Sequence, residues 1–184
     1  MTVIPEVWGR TETLAHADAL CHAYAEVFAP PPWSRDPTIA YHSFHQRLEN
    51  DVERPGFRAT VSISDGNILG FSTGWITQAP FPTSRSYPRV ADKLGPDRVD
   101  NLLIGAFEVD EMAVRHAAHG KGLGRRLLAA ITDAAPDGRA WLLTWDQAPD
   151  AVAFYRHIGW HEVPPLPGIR NEVVIFLSPK HPGA

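Results

Sequence analysis

The sequence predicts an α/β (α+β) fold in which helices cover both faces of a mixed, mainly antiparallel sheet. Three observations predict it. Residues 57–77 form two apolar/polar runs around the turn Asp65-Gly66-Asn67, which is the pattern of a β-hairpin. Residues 106–128 read as a strand, a glycine-spaced turn and a helix. Residues 140–145 are almost continuously apolar, which is typical of a central strand.

The N-terminal elements precede that hairpin. A short opening strand ends at Trp8. Apolar residues at steps of three and four predict one helix over residues 14–28, and three consecutive prolines end it. A second helix is predicted over residues 38–53, because Pro55-Gly56 stops it.

Residues 78–104 are predicted to be irregular because prolines interrupt them. Short helices are expected near residues 90–94 and 98–103. A connection this long in a compact domain is usually functional or disordered, so we interpret it as part of a substrate site, with a mobile surface loop as the alternative.

The C-terminal elements complete the order β-α-α-β-β-β-α-β-α-β-β. The helix after the glycine turn runs to Pro136-Asp137-Gly138. Proline at the first helical position and glycine just past the last predict another helix between Pro149 and Gly159. The last strands are predicted over residues 160–163 and 171–177. A sheet with helices on both faces accommodates this order.

Length and composition predict one domain. The chain has 184 residues, of which 44% are apolar, enough for a core. We expect a single domain over residues 1–178 and a short flexible tail over residues 179–184. A net charge of −4, with no basic cluster outside residues 121–126, argues against nucleic-acid binding.

The sequence shows no pattern that indicates a disulfide, a metal or a membrane segment. Its one cysteine, Cys21, excludes an internal disulfide. Three histidine pairs have helix-like spacing, but none is joined to a carboxylate or cysteine in a recognised ligand pattern, so no metal is expected. Without a signal peptide or an apolar run of about 18 residues, we expect a cytoplasmic protein that has no membrane segment.

The turn at residues 119–125 predicts an anion-binding site. Gly120, Gly122 and Gly124 occupy alternate positions, and glycine allows positive φ and the close approach of a ligand. The first backbone amides of the following helix have no partner inside the helix. Such amides and the positive end of the helix dipole bind anions, so we predict a phosphate or pyrophosphate here. The alternative is a plain glycine-rich connection.

Two common phosphate motifs do not fit this turn. The chain contains no Gly, four residues, then Gly-Lys-Ser/Thr, so a P-loop is excluded. The dinucleotide fingerprint Gly-x-Gly-x-x-Gly requires a glycine at its sixth position. That position is Arg125 if the motif starts at Gly120 and Leu127 if it starts at Gly122, so the fingerprint does not fit. The motif that remains is His119-x-x-Gly122-x-Gly124.

This motif resembles the Arg/Gln-x-x-Gly-x-Gly/Ala signature of GNAT acetyltransferases, which hold the pyrophosphate of coenzyme A. His119 stands where the family usually has Arg or Gln. Residues 148–160 resemble the family's Asn-x-x-Ala-x-x-Phe-Tyr-x-x-x-Gly-Phe, with Ala148 in place of Asn. The resemblance covers about residues 106–163. It implies acetyl-CoA as cosubstrate, no metal, and coenzyme binding by Met112, Ala113, Val114, His119, Gly120, Lys121, Gly122, Leu123, Gly124 and Arg125.

The strand before the turn predicts a β-bulge. Phe107 and Val109 alternate with acids, and Met112 and Val114 alternate again, but the step from 109 to 112 is odd. Side chains change face at every strand residue, so this slip predicts one extra residue at about Asp110–Glu111. The resemblance implies the same, since the family bulges its fourth strand here to admit the pantetheine arm. A strand buried on both faces without a bulge is the alternative.

The resemblance also implies residues for acyl transfer to an amine. Backbone amides around Met112 to Val114 would polarise the thioester carbonyl. Tyr155 takes the place of the family's tyrosine near the coenzyme sulfur, so it is the candidate general acid. Glu108 lies six residues before Val114, as in some histone-type members, so it ranks first as base and Glu111 second. Either acid could instead hold a cationic acceptor while water takes the proton.

Two functions remain open from the sequence. The first is an N-acetyltransferase that moves acetyl directly from acetyl-CoA to a primary amine. The second is a GNAT-fold module that binds or senses acyl-CoA without turnover, which the departures at His119 and Ala148 favour. The acceptor is expected to be a small-molecule or peptide amine, and homodimer formation stays open.

Overall fold

The computed structural model describes residues 4–184. In this part of the chain seven strands hydrogen-bond in the order β1-β2-β3-β4-β5-β7-β6. β4 and β5 pair in parallel, and the pairs β1–β2, β2–β3, β5–β7 and β6–β7 are antiparallel. The predicted mixed, mainly antiparallel sheet is therefore confirmed. The strands are Glu6–Trp8 (β1), Arg58–Ser64 (β2), Asn67–Ile76 (β3), Phe107–Val114 (β4), Ala140–Trp145 (β5), His161–Glu162 (β6) and Val173–Leu177 (β7).

Seven α-helices connect these strands within the described residues. Short 3₁₀ turns cover His116–Ala118 and Pro136–Gly138, and a π-helical turn covers Val99–Leu103. The α-helices are Arg10–Ala15 (α1), Ala17–Phe28 (α2), Pro37–Asp51 (α3), Tyr87–Leu94 (α4), Pro96–Arg98 (α5), Leu123–Thr132 (α6) and Pro149–His157 (α7). No described helix is both long and apolar enough to cross a membrane.

The single helix predicted over residues 14–28 is wrong, because the chain breaks at His16 into α1 and α2. His16 has φ −117° and ψ 19°, outside the helical region. Its Nδ1 lies 2.9 Å from the carbonyl oxygen of Glu12, and its ring packs 4.7 Å from that of Trp8. The chain breaks between α1 and α2 at a residue that is neither proline nor glycine, and these contacts stabilise the break. The spacing of apolar residues alone could not predict it.

The segment predicted to be irregular, residues 78–104, contains more helix than expected. α4 begins at Tyr87, three residues before the predicted start, with Pro88 in its first turn, where a missing amide costs nothing. Tyr87, Val90 and Leu94 are buried on one side of this helix. The predicted short helices are thus confirmed, and Tyr87 belongs to the core.

The chain divides into two compact units. The first unit comprises the residues up to Trp75 together with Asp110–Asp133, and the second comprises Ile76–Val109 and Ala134–Ala184. We describe each unit separately. The expected single domain over residues 1–178 stays a prediction.

In the first unit, helices pack on both faces of β2. Ala59 and Val61 join a buried cluster with side chains of α2 and α3, which include Tyr24 and Phe44. Thr60 points to the other face, where its Oγ1 donates a hydrogen bond to the Leu127 oxygen of α6 at 3.2 Å. The alternation of side chains along a strand explains this arrangement.

In the second unit, β7 is likewise covered on two faces. Ile175 packs in a cluster with Val90 and other residues of α4. The next residue, Phe176, packs its ring 5.5 Å from that of Tyr155 on α7. Near the C-terminus, His181 is buried and its Nε2 lies 2.9 Å from the Leu102 oxygen.

The register of β3 against β4 supports the predicted bulge. The Thr77 amide donates to the Ala106 oxygen, and the Arg115 amide donates to the Leu69 oxygen, each at 2.9 Å. Between these two bonds, the β3 segment advances eight residues, from 69 to 77, and the β4 segment nine, from 106 to 115. The Gly105 amide also donates to the Thr77 oxygen at 2.9 Å, so the pairing is irregular at residues 105–106 as well. One extra residue on the β4 side would produce this count, and its position at Asp110–Glu111 stays a prediction.

Candidate active site

The turn between β4 and α6 presents a row of free backbone amides. Among residues 4–184, no amide from Gly120 to Arg125 donates a hydrogen bond to a protein atom, and the first helical bond is that from Arg126 to the Gly122 oxygen, at 3.2 Å. No side chain caps α6. Six consecutive N–H groups are therefore available to an anion at a helix N-terminus.

Two glycines give the turn its shape. Gly120 has φ 72° and Gly122 has φ 68°, in the left-handed region that glycine adopts without strain. A Cβ on Gly120 would meet nothing within 4 Å, so the space beside it is open. A Cβ on Gly122 would lie 3.3 Å from Nη1 of Arg126. The local backbone thus requires glycine, and the surface next to it can admit a ligand.

Side chains of the same segment brace the turn from within. Lys121 Nζ donates to the Ala117 oxygen at 2.9 Å, and Arg126 Nη1 donates to the Lys121 oxygen at 2.9 Å. The His119 Nε2 lies 2.8 Å from the Val114 oxygen, where it donates if that nitrogen carries the proton. These side chains contact backbone carbonyl oxygens in and next to the turn. They can therefore hold its shape while the backbone amides remain available to a ligand.

The two acids at the predicted bulge share one arginine. Arg47 of α3 places Nη2 2.8 Å from Oε1 of Glu111 and Nη1 3.8 Å from Oδ2 of Asp110. The side chains of both acids are only 14% exposed. The Glu111 backbone oxygen also accepts a hydrogen bond from Ser72 Oγ at 2.8 Å. Glu111 is therefore the carboxylate of a half-buried ion pair.

A buried phenol joins a second arginine to this pair. The Tyr24 hydroxyl oxygen accepts from Arg47 Nη2 at 3.1 Å and from Arg35 Nη1 at 2.5 Å. Burial raises the pKa of Tyr24 above its usual value, and Glu111 raises it further. Burial lowers the pKa of Arg47, but Glu111, Tyr24 and Asp110 more than offset this, so its net shift is upward. We call these five residues the charged cluster: Tyr24, Arg35, Arg47, Asp110 and Glu111.

Glu108, in the second unit, accepts hydrogen bonds from two hydroxyl groups. Its side chain is buried, and its Oε2 accepts from the Tyr87 hydroxyl at 2.9 Å and from Thr77 Oγ1 at 3.3 Å. Thr77 Oγ1 in turn accepts from the indole Nε1 of Trp141 at 2.8 Å.

The other predicted catalytic residue, Tyr155, is buried on α7. Its ring lies 5.3 Å from that of Phe154, 6.2 Å from Trp160 and 5.5 Å from Phe176. Ala148, which replaces the usual asparagine, is also buried and caps α7 without a side-chain hydrogen bond. Pro149 begins this helix and Gly159 follows it with φ 86°, as predicted.

The structure thus groups the predicted residues by unit. Glu111, Met112 to Val114 and the turn His119–Arg125 lie in the first unit, and Glu108 and Tyr155 lie in the second. Among residues 4–184, no group of three or more His, Cys, Asp or Glu is placed to hold a metal ion. Sequence reasoning missed the side chains that contact the two acids, Arg47, Thr77 and Tyr87, and those that contact these in turn, Tyr24, Arg35 and Trp141. All are distant from the acids along the chain and belong to no local motif.

The chain matches one family model and is similar in fold to solved structures. The family model of the acetyltransferase (GNAT) domain matches residues 58–162. No curated protein sequence matches the chain. An acetyltransferase from Thermus thermophilus is similar in structure, with a TM-score of 0.57, 16% sequence identity, and coverage of 97% of this chain and 97% of that one.

Two further solved structures show the same fold. A Corynebacterium glutamicum protein, described as histone acetyltransferase HPA2 and related acetyltransferase, has a TM-score of 0.60, 18% identity, and coverage of 96% of this chain and 97% of that one. The aminoglycoside N-acetyltransferase AAC(6')-Iy in complex with CoA has a TM-score of 0.58, 11% identity, and coverage of 93% and 97%. At these identities the similarity shows the fold alone. Because the family model spans more than half of its 184 residues, the chain belongs to the GNAT acetyltransferase family.

Proposed function

We propose that the protein is an acetyl-CoA-dependent N-acetyltransferase that transfers acetyl directly to a primary amine. The observation that carries this proposal is the row of six unpaired amides from Gly120 to Arg125, set at a helix N-terminus within the family motif. A pyrophosphate carries the oxygens and negative charge that such a row satisfies.

The residues present fit the coenzyme at this turn. The amides would hold the pyrophosphate, and the open space beside Gly120 leaves room for it. We assign the backbone amides of Met112, Ala113 and Val114 to the thioester carbonyl, as the family resemblance implies. When bound, the thioester supplies an activated acetyl group whose carbonyl carbon the amine nitrogen attacks, and the C–S bond then breaks.

Two protons must move in this reaction, and we assign Glu108 and Tyr155 to them. The ammonium must lose one proton before attack, and the leaving thiolate must gain one. Glu108 is preferred to Glu111 as base because the family resemblance ranks it first and because Glu111 is engaged by Arg47 at 2.8 Å. Tyr155 is the proposed acid, since a neutral phenol can donate to the departing sulfur.

An acyl-CoA-binding module without turnover is the second candidate. It is favoured by Ala148, whose methyl group cannot make the hydrogen bond of the usual asparagine, and by the engagement of Glu111 with Arg47. Such a module would bind acetyl-CoA at the same amides and release no thiol with any amine.

The test is free-thiol release from acetyl-CoA across amines that include polyamines, aminoglycosides, amino acids and peptide N-termini. Cys21 should add no background, because it is fully buried and burial raises its pKa to about 12. Amine-dependent release supports the transferase. Saturable acetyl-CoA binding without release from any amine supports the sensor, and absence of binding contradicts both.

A further inference from the structure

Arg35 is an exposed arginine held in a fixed orientation. It follows α2 in the chain, and its backbone amide donates to the Phe28 oxygen at 3.0 Å. Its guanidinium lies 5.5 Å from the ring centre of Phe28 and 5.8 Å from that of Tyr24. The Nη1 group donates to the Tyr24 hydroxyl. Stacking and one hydrogen bond therefore pre-orient the guanidinium while the residue stays open to solvent.

This guanidinium has no carboxylate partner among residues 4–184. Four other arginines of the first unit are paired with acids: Arg10 with Glu53, Arg47 with Glu111, Arg54 with Asp51 and Arg115 with Glu26. Arg35 is ordered by aromatic rings and a phenol instead. An arginine that is positioned but not neutralised is suited to a carboxylate, which its planar fork can bind with two hydrogen bonds.

Arg35 belongs to the same cluster as the strand acids. Hydrogen bonds of 2.5, 3.1 and 2.8 Å lead from Arg35 to Tyr24, from Tyr24 to Arg47, and from Arg47 to Glu111. Arg47 offsets one of the two negative charges of Asp110 and Glu111, and Arg35 adds a second positive charge to the charged cluster. Arg35 leaves the charged cluster with a positive charge on its exposed side, which disfavours a purely cationic acceptor.

We propose that Arg35 binds a carboxylate of the acceptor, so that the acceptor class is an amine that also carries a carboxylate, such as an amino acid. This inference rests on the proposed transferase function and names the substrate class of that site. Tyr24 is a positioning residue, because it is fully buried and acts by holding Arg35 and Arg47. Arg35 is the specificity-determining residue.

The test compares matched acceptors that differ only in the carboxylate: lysine with cadaverine, histidine with histamine, and phenylalanine with phenethylamine. Thiol release is measured for wild type, Arg35→Met and Arg35→Glu. Arg10→Met serves as the control, since Arg10 is an exposed arginine of the same unit. Wild type should prefer the carboxylate-bearing member of at least one pair by roughly tenfold or more in kcat/KM, the scale of one hydrogen bond to a charged group.

In Arg35→Met the preference should disappear through a higher KM, with acetyl-CoA affinity unchanged. In Arg35→Glu it should reverse toward the amine without a carboxylate, a result that misfolding cannot produce. Equal use of both members by wild type, or a preference that survives in Arg35→Met and Arg35→Glu, overturns the inference while the transferase function stands. Acetyl-CoA binding without release from any acceptor overturns both proposals.

Discussion

The two compact units carry different chemistry. The first unit contains a row of unpaired backbone amides, which can bind an anion, and the charged cluster, which contains side chains of both signs. In the second, a buried carboxylate accepts hydrogen bonds from two hydroxyls, and a buried phenol packs against aromatic rings. On the proposed assignments, changes at the turn of the first unit should alter coenzyme affinity, and changes at Glu108 and Tyr155 in the second should alter turnover.

Two acids of the same strand illustrate the contrast. Glu111 faces a guanidinium at 2.8 Å, so its charge is compensated by a formal positive charge. Glu108 accepts hydrogen bonds from the hydroxyls of Tyr87 and Thr77. The two acids therefore differ in their hydrogen-bond partners, and we take this difference to separate their proposed roles.

The largest effect is expected from Tyr155→Phe in the second unit. This change keeps the ring packing against Phe154, Trp160 and Phe176 and removes only the hydroxyl. Loss of a general acid lowers turnover by roughly 100- to 10,000-fold. Steady-state rate and acetyl-CoA affinity are measured on the same protein. Full turnover in Tyr155→Phe would show that the phenol is structural. Loss of both turnover and acetyl-CoA binding would show that the hydroxyl supports the coenzyme or the helix, and would contradict its role as the acid.

Gly124→Val tests the proposed binding of the coenzyme pyrophosphate by the turn before α6. Gly124 lies in the first turn of α6, whose amides are unpaired, and a branched side chain there would obstruct an approaching phosphate. Losing two or more hydrogen bonds to a charged group should weaken acetyl-CoA binding by at least roughly 100-fold. Thermal-shift titration measures the acetyl-CoA affinity, and Ala129→Val, on the exposed side of the same helix, serves as the control. An unchanged shift in Gly124→Val would refute the phosphate assignment.

A roughly tenfold effect is expected when Thr77 loses its hydroxyl. Thr77→Val removes one donor to Glu108 and the acceptor of the Trp141 indole, whereas Thr77→Ser keeps both. One hydrogen bond to a charged group is worth about 1.5 kcal/mol, or about tenfold in rate. We expect Val to lower turnover without changing acetyl-CoA affinity, and Ser to restore it. Equal rates for the two variants would mean that Thr77 does not position Glu108.

The smallest effect is one of stability, from Arg47→Met. Methionine retains much of the packing over Tyr24 and Phe44 but leaves Glu111 and Asp110 half-buried without their cation. The expected loss is about 1–3 kcal/mol, or roughly 3–10 °C in Tm for a chain of this size.

Arg10→Met is the matched control for Arg47→Met. Its pair with Glu53 is more than half exposed on both sides, so its loss should cost below about 1 kcal/mol. Thermal unfolding of both variants is compared with that of wild type. Equal Tm values for the two variants would show that the charged cluster contributes no more than an ordinary surface pair.

Local signals in the sequence were enough for most of the fold. The hairpin at Asp65-Gly66, the glycine turn before α6, and the frame of Pro149 and Gly159 around α7 are short-range patterns with a direct backbone cause. The break at His16 depends on contacts with Glu12 and Trp8 that no pattern marks.

The candidate site was less accessible to sequence reasoning. Glu108 and Glu111 could be named because they lie on the strand that carries the motif. Their environments could not, since Arg47 is 64 residues from Glu111 and Tyr87 is 21 residues from Glu108. Long-range side-chain pairs of this kind follow from tertiary packing, which a single sequence does not reveal.

The most direct test of the account compares Glu108→Gln with Glu111→Gln in turnover at saturating acetyl-CoA, using the best amine of the panel. Both changes remove one negative charge from β4 with little change in volume. We expect Glu108→Gln to lose roughly 100- to 10,000-fold in turnover, as for a missing general base, and Glu111→Gln to lose less than about tenfold. A larger loss in Glu111→Gln, or full activity in Glu108→Gln, would contradict the assignment of proton transfer to the second unit.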